Sequence, residues 1–125
     1  MFKFIKPVYA HCDLPCGVYD PAQARIEAES VKGAIEKYEN FSETDKVRAI
    51  IIKEDRCEKV KHHLWVLWTD YFKPEHLALH DDLHGLFWQA TKQAGACKKS
   101  VDVKDADKLL EYIEEIDKVF KASKK

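Results

Sequence analysis

Helix-breaking residues are scarce in this chain, and that scarcity limits what it can fold into more than any other feature. Only 4 Gly and 4 Pro occur in 125 residues, so long stretches run without a turn signal, which favours helices over the turn-rich pattern of an all-β domain. Asp20-Pro21 marks a first helix start, since Asp caps free amides and Pro at the first helical position has no N–H to waste. From there Ala24, Val31, Ala34, Ile35 and Tyr38 recur at helical spacing. A second helix is predicted to open at Ser42, with Asp45 as a weaker form of the capping box. Its apolar positions Val47, Ile50, Ile51, Val60, Leu64, Leu67 and Trp68 run towards Phe72, and Pro74 stops it. A third helix fits from Pro74 through Leu79, Leu83, Leu86, Phe87 and Ala90 to Gly95, read as a left-handed C-terminal cap. The fourth runs from about Val103 through Leu109, Leu110, Ile113, Ile116, Val119 and Phe120. Four amphipathic helices with short connections predict an all-α fold, an antiparallel up-down four-helix bundle.

One ordinary domain fits this length, and one functional site is the default for it. Hydrophobic residues make up 46% of the chain, enough for a core, yet no apolar run approaches the ~20 residues of a spanning helix. Lys and Arg total 21 against 22 Asp and Glu, a formal charge of -1. That balance argues against a nucleic-acid partner held by a large positive field. The bundle is small for its apolar content, so self-association is expected. The basic tail Lys-Ala-Ser-Lys-Lys reads as a solvated, frayed end.

Chemistry concentrates in one place. Four cysteines are too sparse for a disulfide scaffold, and only Cys12 and Cys16 lie close together. With His11 they put one imidazole and two thiols within six residues, outside any predicted helix. Thiolate and imidazole suit zinc, copper or nickel, whereas magnesium and calcium prefer oxygen. Asp13, Pro15 and Gly17 are residue types that let the chain reverse between the two cysteines. Three side chains do not close a structural zinc site, and no second zinc-type Cys pair follows. A cut after Ala10 would free the amine of His11 and place the Cys12 amide nitrogen between amine and thiolate. Such a planar nitrogen–sulfur set is the tetragonal geometry of Ni(II) or Cu(II). The residues alone leave open a short-range Cys12–Cys16 disulfide, two unconnected thiols, and an uncut N-terminal arm. The leader Met1–Ala10 carries two Lys and ends in a small residue, but Lys6 and Pro7 break its apolar stretch, so it is no standard export signal; a cytoplasmic location is expected.

The string His11-Cys-Asp-Leu-Pro-Cys-Gly-Val-Tyr-Asp-Pro21 resembles the nickel hook of the nickel-containing superoxide dismutases. The likeness continues through residues 22–32 and reappears at Ile52-Lys-Glu-Asp-Arg56, Lys61-His-His63, Leu67-Trp-Thr-Asp-Tyr-Phe-Lys-Pro74 and Tyr112-Ile-Glu-Glu-Ile-Asp-Lys118. The resemblance implies a four-helix bundle assembled as a homohexamer, with one nickel ion per subunit. It also implies a precursor whose residues 1–10 are removed by a maturation protease, leaving a domain of residues 11–125 with its hook at 11–19. The activity it implies is conversion of superoxide to oxygen and hydrogen peroxide, with nickel alternating between Ni(II) and Ni(III). By the same resemblance Cys12 gives a thiolate and its amide nitrogen, Cys16 a thiolate, and His11 its amine and an axial imidazole. Glu27 and Arg56 correspond to the brace that holds the imidazole. Tyr19 and Tyr71 correspond to tyrosines lining the approach to the metal. Lys73 is a candidate for local positive potential that draws in an anion. A non-catalytic nickel or copper delivery module is the alternative in another class, and a Cys-x-x-x-Cys thiol redox protein is a third.

Other residues invite metal or thiol chemistry without earning it. His76, His80 and His84 are spaced to line one helical stripe, but no Cys or acidic triad converges on them. His62 and His63 diverge on a helix, one expected towards the core and one towards a neighbouring subunit. Cys57 and Cys97 read as free thiols, and Trp65, Trp68 and Trp88 as core or interface aromatics.

Overall fold

The computed structural model describes residues 17–125, within which every regular element is helical and no strand occurs. Four α-helices make the frame: α1 (Ala22–Lys37), α2 (Glu43–Val66), α3 (Leu83–Lys98) and α4 (Val103–Ser123). α1 packs on α2 and α4, and α3 packs on the same two, which is the square ring of an antiparallel up-down bundle. None of the helices described is long and apolar enough to cross a membrane.

Caps set the starts. The Asp20 carboxylate accepts from the Ala22 amide at 2.8 Å, and Ser42 Oγ accepts from the Asp45 amide at 3.1 Å, as the sequence predicts. Asp82 caps α3 by accepting from the Gly85 amide at 2.8 Å. Its carboxylate lies so low over the first turn that a Cβ on residue 85 would sit 2.0 Å from Asp82 Oδ2, so a larger residue there would displace the capping carboxylate.

The seam between the helices is filled by Ala24, Ala28 and Val31 from α1, Cys57, Val60 and Leu64 from α2, Leu86, Ala90 and Cys97 from α3, and Leu109, Ile113 and Ile116 from α4. Small residues on α1 and α3 let the larger side chains of α4 fill the middle. Each fully buried Leu or Ile contributes about 2 kcal/mol relative to exposure.

Three details differ from the sequence reading. Val47 and Ile51, placed on the inner face by their spacing, are 61% and 64% exposed; the inner face of α2 is instead Ala49, Lys53, Cys57, Val60 and Leu64. A lysine in that stripe hid the true period. Helix α3 starts at Leu83, because Pro74–Leu79 forms a separate 3₁₀ segment joined to it by a turn at 80–82. Nor does Gly95 end α3. The helix runs on to Lys98, and its end is capped by the Lys53 ammonium, which is 2% exposed. Lys53 Nζ donates to the carbonyls of Cys97 (2.5 Å), Lys98 (2.9 Å) and Ser100 (2.7 Å). Three ammonium protons meet three carbonyls at the negative end of a helix dipole.

Cys57 and Cys97 are free, fully buried thiols, as the sequence reading has them. Burial raises Cys57 from the ordinary 9.0 to about 11 and Cys97 to about 12.

Two predictions follow from this packing. Lys53→Met fills the same volume but leaves three carbonyls without their cation, and is expected to cost about 2–3 kcal/mol in chemical denaturation. The thiols give a pH dependence: unfolded thiols ionise from about 9.0 while the buried ones hold their protons to about 11–12, so stability falls as pH rises through that window. The denaturation midpoint of Cys97→Ala should fall less steeply over the same range.

Candidate metal centre and its supports

The ligand candidates His11, Cys12 and Cys16 lie outside the described residues, as does the leader. The first described residue is Gly17, whose φ of +71° is a left-handed conformation that suits glycine. Two residues on, Tyr19 packs against the bundle core.

Tyr19 and Tyr71, assigned to one site by the resemblance, meet: their ring centroids are 5.6 Å apart at 52°. Tyr71 stands where α2 ends in a π-turn over Leu67–Tyr71, closed by the Phe72 amide donating to the Leu67 carbonyl at 2.9 Å. The wider turn carries one more residue than an α-turn, and such turns gather at functional positions. Thr69 reinforces it by donating to the Trp65 carbonyl at 2.8 Å. Around the Tyr71 ring stand Phe120 at 4.7 Å, Phe72 at 5.0 Å and His76, stacked at 5.8 Å and 10°.

Glu27 and Arg56 also meet. One guanidinium nitrogen of Arg56 on α2 donates to both carboxylate oxygens of Glu27 on α1, at 3.0 and 3.3 Å, and another donates to Asp55 at 2.9 Å. The Glu27 carboxylate raises the Arg56 guanidinium further above its already high ordinary value. Glu27 is the more buried partner, its side chain 16% exposed, so the pair ties α1 to α2 at a place where a carboxylate would otherwise be poorly hydrated. Beside it runs an open groove lined by His62, His63, Lys59 and Trp65. The four supporting residues thus come together as two pairs.

Residues 6–124 of the chain match the family model of the nickel-containing superoxide dismutases. The chain belongs to the nickel-containing superoxide dismutase family. It is 55% identical over 119 residues to the superoxide dismutase [Ni] of Streptomyces seoulensis, covering 94% of this chain and 91% of that protein. To the superoxide dismutase [Ni] of Streptomyces coelicolor it is 53% identical over the same extent. A native nickel superoxide dismutase structure superimposes with a TM-score of 0.88 at 52% identity, covering 92% of this chain and all of that one. Another, with nickel ligation corresponding to the oxidised state, does so with a TM-score of 0.86 at 54% identity, covering 91% of this chain and 98% of that one.

One cation and one serine beside Tyr71 escaped the sequence reading. Lys73 has an exposed side chain; the ammonium over Tyr71 is that of Lys124, 5.1 Å from the ring centroid. Ser123 lies 2.6 Å from the Tyr71 hydroxyl. Both belong to the tail read as a frayed end, and the signal available was only that Phe120 continues the apolar stripe of α4 to within one turn of them. The histidine stripe dissolves into separate jobs. His76 accepts from the Lys73 amide, His80 joins the Asp82 amide to the Glu115 carboxylate, and His84 stands edge-on to Trp68. Among the described residues no group of His, Cys, Asp and Glu is placed to hold a metal.

The brace makes a separable prediction. Glu27→Gln, which keeps the shape but removes the charge, should lower the denaturation midpoint, whereas Asp55→Asn at the exposed end of the same guanidinium should leave it nearly unchanged.

Proposed function

We propose that this chain dismutates superoxide with a nickel ion held by His11, Cys12 and Cys16. The observation that carries the reading is the extent of the family match, which runs from residue 6 to residue 124 and so takes in all three donors as well as both supporting pairs. Two thiolates, an imidazole and the backbone nitrogens of residues 11 and 12 would form a donor set that suits a nickel ion. When bound, nickel supplies a one-electron couple, with anionic sulfur and amide donors bringing its oxidised state within reach.

The net reaction takes two superoxide anions and two protons to one dioxygen and one hydrogen peroxide. In this reading the chain's residues divide the remaining work. Glu27 and Arg56 would hold the His11 imidazole in place through hydrogen bonds, so that it would meet a bound nickel ion from one position. Tyr19 and Tyr71 narrow the approach to small molecules and offer hydroxyls to water and peroxide. Lys124 adds positive potential beside Tyr71, which favours entry of an anion.

Residues 1–10 belong to a precursor in this reading, and a maturation protease cutting after Ala10 frees the amine of His11. The mature chain assembles as a homohexamer. Support for self-association comes from an apolar groove of about 490 Å³ between α2 and α3, lined by Trp65, Trp68, Phe87 and Trp88, with Trp88 64% exposed.

The test is superoxide consumption by the protein trimmed to begin at His11 and loaded with nickel, beside the same protein carrying Cys12→Ser and Cys16→Ser. Rapid dismutation that vanishes in the double variant, and that the chain beginning at Met1 lacks, is expected. Tight nickel binding without dismutation would move the protein to the class of metal carriers.

A further inference from the structure

Tyr71 is held from the far end of the chain. Its hydroxyl lies 2.6 Å from Ser123 Oγ, at the last position of α4, and Ser123 Oγ in turn donates to the Phe120 carbonyl at 2.5 Å. A serine hydroxyl has one proton and two lone pairs. With that proton on the Phe120 carbonyl, Ser123 is left only to accept from Tyr71. The chain of hydrogen bonds therefore has one direction, from the Tyr71 O–H to Ser123 Oγ and from the Ser123 O–H to the helix carbonyl.

The carbonyl is one of the last in α4, where intrahelical partners run out. Ser123 thus serves a helix end and the phenol together, and turning its hydroxyl towards the phenol would give up its bond to that carbonyl. The ring is confined from the sides by Phe120, Phe72 and His76, and capped by the Lys124 ammonium.

We propose that Ser123 is a positioning residue for Tyr71, taking the phenol proton so that the oxygen presents lone pairs to the site. This rests on the reading of Tyr71 as part of the superoxide site. An accepting phenol holds molecules that bring their own O–H. A water that donates to it keeps its second proton for an incoming anion, and hydrogen peroxide is held in the same way. Superoxide has no proton to donate and is not retained by the oxygen. The phenol so oriented favours delivery of protons to the anion over binding of the anion itself.

The test uses nickel-loaded protein beginning at His11 in six forms: unsubstituted, Tyr71→Phe, Ser123→Val, Ser123→Thr, and each Ser123 variant combined with Tyr71→Phe. Valine and threonine have the same shape and differ in the hydroxyl, so equal thermal midpoints isolate the hydrogen bond from packing. Ser123→Val should lower the dismutation rate about threefold to tenfold, the scale of one neutral hydrogen bond. Ser123→Thr should recover most of it, and in the Tyr71→Phe background the two should be equal. The Raman doublet of the tyrosine ring, taken as a difference against Tyr71→Phe, should change from a donating phenol in the unsubstituted and Thr forms to a non-donating one in the Val form.

Equal rates for Val and Thr, an equal loss in the Tyr71→Phe background, or a doublet unchanged by Ser123→Val would each overturn the proposal. A failure of the underlying functional reading shows itself differently. There the unsubstituted protein would not dismutate although its doublet reported a donating phenol, and the proposed role would fall with the reaction it serves.

Discussion

The Lys53 ammonium, driven into the bundle and met by three carbonyls, is the contact on which the rest of the arrangement depends. A buried charge without partners is too costly to keep, so lysine in the inner stripe of α2 is tolerable only where the chain brings acceptors to it. The end of α3 does so with the carbonyls of Cys97, Lys98 and Ser100. That fixes more than a cap. The turn between Lys98 and Val103 is the only connection to α4, and pinning its first residues to α2 sets where α4 enters the ring. Asp102 then caps α4 by accepting from the Lys104 amide at 2.9 Å, and 21 helical residues later Ser123 arrives beside Tyr71.

Tyr71 is therefore a meeting point of distant parts of the sequence. The π-turn at the end of α2 presents it, the 3₁₀ segment supplies His76, the last turn of α4 supplies Phe120, Ser123 and Lys124, and Tyr19 comes from the segment that follows the hook. A ring packed from four directions has little freedom to rotate, which is what the proposed narrow approach for small molecules would require. The second pair, Glu27 and Arg56, serves by charge where the first serves by packing. One nitrogen spans both carboxylate oxygens, so the carboxylate is fixed in direction as well as place.

How much of this can be read from the sequence depends on how local the cause is. The caps at Asp20 and Ser42 are local, and so is the spacing of Leu109, Ile113 and Ile116 on α4; all were legible. His11, Cys12 and Cys16 stand out in the sequence because they lie within six residues, and they fall outside the described residues; the pairing of Glu27 with Arg56, which the structure does show, came only through the family likeness, since charges 29 positions apart announce nothing by spacing. What the sequence concealed was non-local. Gly95 has the residue type of a helix cap, but the cap it would provide was already provided by a lysine 44 positions away from Cys97. Val47 and Ile51 have the hydropathy of core residues, yet Lys53 takes the inner face they would need. Ser123 looked like part of a polar tail because its value lies in a partner 52 positions distant.

The same distinction between local and distant causes sorts the four thiols. In the proposed reading Cys12 and Cys16 are thiolates, made so by the metal they bind. Cys57 and Cys97 sit where four helices exclude water, and burial holds them protonated to about 11 and about 12. Peroxide attacks the thiolate and spares the thiol. An enzyme whose product is hydrogen peroxide can therefore carry two spare cysteines in its core without oxidising them, provided the bundle stays closed. Closure in turn returns to Lys53, whose acceptor carbonyls include that of Cys97 itself: the contact that ends α3 also seals the thiol most strongly held in its unreactive form.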